Sequence, residues 1–169
     1  MGPQGSAGPT GAQGPVGPQG LTGVTGATGP EISSTLIDTI WVGGALSSLA
    51  NGAAVPFDNI RTDRGNISYN QGTREFIINE TGYYLVNWWI ATGGIPAPST
   101  INFALRLNGV TQSQSASPLG TGQVSGTAVV RVAQAPSTLT LVNDSGAAIS
   151  IPATAAQGDI TIVKVASLP

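Results

Sequence analysis

The sequence of 169 residues contains no cysteine and no histidine. Disulfides, zinc–thiolate centres, haem ligation through histidine and every histidine-based catalytic device are thereby excluded. Charge is scarce: six basic and eight acidic residues leave a formal net charge of −2. No basic patch is available to attract nucleic acid or anionic lipid, so neither is expected as a partner. No stretch approaches the roughly 20 consecutive apolar residues of a membrane-spanning helix. Met1-Gly2 runs straight into a repeat, without the positive start and apolar core of a signal peptide. That leaves two readings open: the chain is not exported by that route, or the sequence begins downstream of its native N-terminus.

What is abundant is glycine, and it is unevenly spread. Ten of the 24 glycines fall at positions 2, 5, 8, 11, 14, 17, 20, 23, 26 and 29. An unbroken period of three over ten triplets is the signature of a collagen triple helix, where only glycine fits at the axis shared by three polyproline-II-like chains. A flexible linker would show glycine without period. Pro3, Pro9, Pro15, Pro18 and Pro30 all follow glycine directly, and none occupies the third slot, where animal collagens carry hydroxyproline. That slot holds Thr10, Thr22, Thr25 and Thr28 along with Gln and Ala. The pattern is that of a prokaryotic or viral collagen. The threonine hydroxyls point outward and are candidate O-glycosylation sites, although threonine is equally well tolerated there without modification. Thirty residues give a rod of about 90 Å. Glu31 is its one charge, so salt bridges add almost nothing. Such a rod is marginal alone and needs tethering, which raises the effective concentration of the chains to the millimolar range. The remainder of the chain is therefore expected to be a trimer.

From Ile32 onward, turn dipeptides recur every 8 to 15 residues with β-branched runs between them. The predicted strands are 34–42, 55–60, 66–69, 74–79, 82–91, 101–107, 110–115, 122–133, 137–143, 147–151 and 158–167. Asn108-Gly109 is a two-residue hairpin signal, and Gln71-Gly72 and 143–146 are read as further hairpins. No helical period is present. The fold class is all-β, a jelly-roll sandwich. Residues 101–107 alternate as a half-exposed strand, with Asn102 and Arg106 on the polar face. Residues 83–90 instead have two apolar faces: Tyr83, Leu85 and Trp89 with Asn87 on one, and Tyr84, Val86, Trp88 and Ile90 on the other. Residues 159–166 repeat this, with Ile160 and Ile162 against Val163 and Val165. A two-sheet sandwich has one inner face, so the surplus apolar face calls for another subunit.

Chemistry is thinly represented. Lys164 is the sole lysine and reads as an edge or surface charge. The acids are scattered singly. The densest patch, Asp58-Asn59-Ile60-Arg61-Thr62-Asp63, lacks the spacing of a calcium loop and reads as a solvated loop with an Asp–Arg pair. Sequons at Asn66, Asn79 and Asn143 fit turns, where Asn and Ser/Thr are common. Trp88 and Trp89 read as packing. No catalytic residue, cofactor or metal site is expected.

Several phrases resemble a known superfamily. Val55-Pro56-Phe57-Asp58-Asn59, then Glu75-Phe76-Ile77-Ile78 with Thr81-Gly82-Tyr83-Tyr84-Leu85-Val86, and finally Asp159-Ile160-Thr161-Ile162-Val163-Lys164-Val165 are similar to modules of the complement C1q/tumour necrosis factor superfamily. With the short Gly-X-Thr-rich collagen segment and the low charge, the chain most resembles the Bacillus collagen-like exosporium glycoproteins of the BclA type. The collagen is short for that family, and the N-terminal segment by which such proteins are targeted is not in the sequence. The resemblance implies a stalk over residues 1–31, a C1q/TNF-like head over residues 32–169, and a homotrimer. It makes 82–91 an inner-sheet strand, with Leu85, Asn87 and Trp89 facing the trimer axis and Tyr84, Val86, Trp88 and Ile90 in the subunit core; the alternative is the reverse assignment of the two faces. It implies a structural surface protein on a spore exosporium or appendage tip, serving display, adhesion or shielding. Its partners would be an anchoring protein and, at most, a host surface ligand. Two alternatives stay open: an adhesin head whose loops 92–100 and 116–122 bind a glycan or host protein, and a phage tail-fibre tip.

Overall fold

The computed structural model describes residues 1–23, 35–42, 47–93, 100–118 and 121–169. The chain divides into two units, Met1–Glu31 and Ile32–Pro169. In the first, residues 1–23 carry neither helix nor strand and are exposed throughout. Nothing lies within 4 Å of a Cβ built on Gly2, Gly5, Gly8, Gly11, Gly14, Gly17, Gly20 or Gly23, and none of them has a left-handed backbone. A single chain therefore gives no reason for glycine at any of these positions.

The second unit consists of twelve strands among its described residues: β1 (Leu36–Trp41), β2 (Ser48–Leu49), β3 (Asn59–Arg64), β4 (Ile67–Asn70), β5 (Glu75–Ile78), β6 (Gly82–Thr92), β7 (Ile101–Leu107), β8 (Val110–Ser117), β9 (Gly122–Val132), β10 (Ser137–Asn143), β11 (Ile149–Ser150) and β12 (Gly158–Ala166). They form two five-stranded antiparallel sheets, β3-β1-β12-β6-β9 and β4-β5-β10-β7-β8, with a small third pair β11-β2. Alternating residues of both large sheets meet in one core. Ile37, Trp41, Tyr84, Val86, Trp88, Ile90, Ile160 and Ile162 face Phe76, Ile78, Ile101, Phe103, Leu105, Leu139 and Leu141, all of them buried. Trp88 meets Phe103 at a centroid distance of 5.7 Å and 60°. Gly126 on β9 makes room for that indole, since a Cβ there would stand 2.6 Å from Trp88 Cζ2.

Turn chemistry explains the hairpins that form. Asn108 and Gly109 both have positive φ, 49° and 79°, as a type I′ turn requires, and they join β7 to β8. Asn70 Oδ1 accepts from Gly72 N and Thr73 N, which closes the β4–β5 turn around Gln71-Gly72. Residues 143–146, by contrast, are not a hairpin. Asn143, fully buried, ties the chain sideways by donating to the carbonyls of Leu49 and Ala147, and β11 pairs with β2 instead of β10.

The strand predicted at 55–60 also differs. Val55 and Phe57 are buried, but Pro56 has no N–H for a ladder, and the strand begins at Asn59. Val55 N instead donates to Leu141 O and Phe57 N to the Tyr69 hydroxyl. The β3 stretch, Asn-Ile-Arg-Thr-Asp-Arg, is mostly exposed and borders its sheet, so its polar sequence gives no period-two signal. On β7, Asn102 and Arg106 do lie on the face away from the core, where they are half-buried, while Ala104 between them is fully covered.

Candidate functional site

The strand with two apolar faces, β6, sits inside the first sheet between β12 and β9. Its Tyr84, Val86, Trp88 and Ile90 point into the core, which leaves Leu85, Asn87 and Trp89 on the opposite, outer face. Leu85 and Trp89 are half-buried there, and Asn87 is exposed.

Register turns these positions into rows across the sheet. Leu36 on β1 faces Val163 on β12, Val163 faces Leu85 on β6, and Leu85 faces Val129 on β9. The four make one apolar band across four strands, and Val129 at its end is 64 % exposed. The next row toward the far end of the sheet is polar: Asp38, Thr161, Asn87 and Thr127. The third is mixed: Ile40, Asp159, Trp89 and Ser125. Cross-strand neighbours on one face touch directly, so each row is a continuous surface.

One ion network lies on this face. Arg61 from β3 grips Asp38 with both Nε (2.9 Å) and Nη2 (2.8 Å) and also pairs with Asp159. The Thr161 hydroxyl donates to Asp38 Oδ1 at 3.1 Å. Burial pushes the Asp159 carboxyl above the ordinary aspartate range, the Asp38 charge adds to this, and Arg61 opposes it. Two carboxylates on one guanidinium leave the network one negative charge in excess. The Asp–Arg pairing expected within 58–63 is therefore replaced by pairing across strands. Asp58 instead accepts from Val42 N at 2.9 Å, and among the described residues no group of three or more acids could hold a metal ion.

Lys164 corrects the sequence reading. It is not a surface or edge charge: it shares parity with the core residues Ile160 and Ile162, lies in a central strand and is 5 % exposed. Its ammonium pairs with Glu80 in the β5–β6 connection. That hydrogen bond, with others from Asn66 and Thr35, holds the Glu80 carboxyl below its usual range against the opposing effect of burial. The neighbouring Tyr84 hydroxyl donates to Glu80 O at 2.8 Å and is pushed up to about 12 by burial.

The remaining candidates fall as follows. Thr10 and Thr22 are exposed, whereas Thr25 and Thr28 lie outside the described residues. Trp41 is buried in the core. Asn143 of the third sequon is fully buried, so the folded head cannot present it to a glycosyltransferase. Most of loop 92–100 is outside the described residues, as are 119–120 of the second loop, and Thr92 belongs to β6 with its side chain buried.

Comparison with solved structures gives the same fold. An Eiger TNF from S. frugiperda superposes with a TM-score of 0.64 at 17 % identity, over 80 % of this chain and 95 % of that one. Murine APRIL gives 0.60 at 12 % identity, over 79 % and 100 %. The globular domain of zebrafish complement 1qA protein gives 0.53 at 13 % identity, over 77 % and 94 %. At such identities the likeness is one of fold alone. No curated protein matches the chain at a significant level. The family model described as the BclA C-terminal domain, however, matches residues 42–166, which is most of the head, and the chain accordingly belongs to the BclA C-terminal domain family.

Proposed function

We propose that the protein is a trimeric stalk-and-head structural protein of a bacterial surface, in which residues 1–31 wind as a collagen triple helix and residues 32–169 form the trimerising head. The observation that carries this reading is the glycine period: ten glycines at every third position, of which the eight described, Gly2 to Gly23, meet no contact and adopt no backbone conformation in one chain that demands glycine. Two further chains supply the missing reason, because the axis of a triple helix admits no side chain.

The outer face of the first sheet supports the same stoichiometry. The band Leu36–Val163–Leu85–Val129, with Trp89 and Ile40 on the same face, is a contiguous apolar surface that a neighbouring subunit would cover. In this reading Leu85, Asn87 and Trp89 face the neighbouring subunits. The head would set the register of the three stalk chains, and the stalk would hold the head away from a spore exosporium or appendage. Exposed Thr10 and Thr22, with Thr25 and Thr28 in the same slot, are the positions proposed to carry O-glycans.

The test is the mass of the full chain in solution, together with circular dichroism of the stalk. A particle of three times 16.9 kDa with a cooperative polyproline-type melt is the expected result. A particle of a single chain's mass would overturn the reading. Immunogold labelling of intact spores with antibody to the head tests the location, and label confined to the cell interior would contradict it.

A further inference from the structure

Lys164, the one lysine of the chain, lies on the opposite face of its sheet from the Leu36–Val163–Leu85–Val129 band, and its side chain is 4 % exposed and ion-paired. Its partner Glu80 also accepts from the Thr35 hydroxyl at 3.2 Å and from Asn66 Nδ2 at 3.3 Å. Thr35 is gripped through its backbone as well, because Lys164 N donates to Thr35 O at 3.0 Å. Gly65 closes the other side: a Cβ there would lie 2.5 Å from Thr35 Oγ1 and 2.9 Å from its Cα. Gly82 likewise leaves room for the lysine, since its Cβ would stand 2.6 Å from Lys164 Cε. Three separate segments, at 65–66, at 80 and at 164, thus converge on Thr35. In sequence, Thr35 lies four residues beyond Glu31, the end of the glycine repeat.

From Thr35 the chain enters β1, which is an inner strand of its sheet. Leu36–Trp41 pairs residue by residue with β12 on one side, and Leu36–Ile40 pairs with β3 on the other. A pull on the N-terminal end of β1, directed along the strand, must slide it past both neighbours and loads both ladders at once. A pull between the two chain ends acts differently. Thr35 and Lys164 are neighbours at the same end of the antiparallel β1–β12 pair, so separating them opens its bonds one after another.

We propose that this end of the head is a load-bearing anchor, in which the clasp of Lys164, Glu80 and Asn66 on Thr35, at the mouth of the doubly paired strand β1, carries tension arriving through residues 1–31 in shear. The biological use rests on the reading of those residues as a stalk. The mechanical property does not, because both attachment points below lie on one chain.

The chain has no native cysteine, so attachment points can be introduced singly. Single-molecule force spectroscopy on the full chain would pull between a handle at Met1 and one of two others. The first is Thr121→Cys, exposed and next to Gly122, which pairs with Thr92 at the end of the sheet away from Lys164. The second is a handle at Pro169. At one pulling speed the rupture force from Met1 to position 121 is expected to exceed that from Met1 to Pro169 by about threefold or more. Equal forces in the two directions would overturn the anchor. Lys164→Met and Glu80→Gln, each checked for a native tryptophan emission spectrum, are expected to lower the force in the first direction. An unchanged force in whichever variant is folded would remove the clasp from the proposal, since shear of β1 would then suffice by itself.

Discussion

At the scale of single residues, two carboxylates respond to acid in opposite senses. Glu80 is held below its ordinary range by Lys164. A carboxylate with a lowered folded-state pKa contributes stability above its unfolded value that disappears as pH falls through the folded value. Asp159 is raised by burial and by Asp38, so its ionised form is penalised by folding and acid relieves that penalty. The wild-type head should therefore lose melting temperature below the ordinary glutamate range, and Glu80→Gln should start lower at neutral pH and change less in acid. The loss at neutral pH is expected to be about 1–2 kcal/mol, less than for a fully buried pair because the Glu80 side chain is 36 % exposed. Calorimetry between neutral pH and about pH 3 checks both the offset and the slope. The same scale separates the two aspartates on Arg61. Asp38 accepts two guanidinium bonds and the Thr161 hydroxyl, so Asp38→Asn should cost about 1–3 kcal/mol. Asp159→Asn removes the surplus charge and should be near neutral, and urea denaturation of the two variants compares them directly. The burial of Lys164 was legible in principle from its parity with Ile160 and Ile162. What makes that burial tolerable is not local, because its partner Glu80 is 84 residues away in sequence.

At the scale of elements, the hydrophobic alternation located what it could act on. β6, β7 and β12 lie where their face patterns put them, β9 and β10 where β-branched runs between turn signals do, and the two parities of β6 separate into a core face and an outer face. β3 carries Arg61, Asp63 and Arg64 on a border strand with no buried face to create a pattern. β2 and β11 are two residues each, too short to register. The turn at 143–146 has hairpin chemistry but is redirected by the buried Asn143 side chain, a tertiary contact that no local signal reveals. Gly126 was equally invisible, since its reason is the Trp88 indole on the neighbouring strand. Gly126→Ala should overpack that contact and cost about 1–3 kcal/mol. Thermal melting followed by tryptophan fluorescence measures this, and an unchanged midpoint would mean that Trp88 has a second place to go.

At the scale of the whole molecule, the glycine period and the outer face of the first sheet make the same demand. In the proposed trimer the first is met by two more chains along an axis, and the second by a neighbouring subunit covering Leu36, Val163, Leu85 and Val129. The glycine period can be read directly from the sequence. The second is legible only as surplus hydrophobicity, because the continuity of the band depends on strand order and register. Leu85→Asp, placing a charge in the middle of the band, should dissociate the head into folded monomers without loss of its core, visible as native tryptophan emission at one-third of the wild-type mass. If the head trimerises by itself and nucleates the stalk, sedimentation equilibrium of residues 32–169 alone should return a particle of three times that fragment's mass; a stable, folded monomer would rule this out.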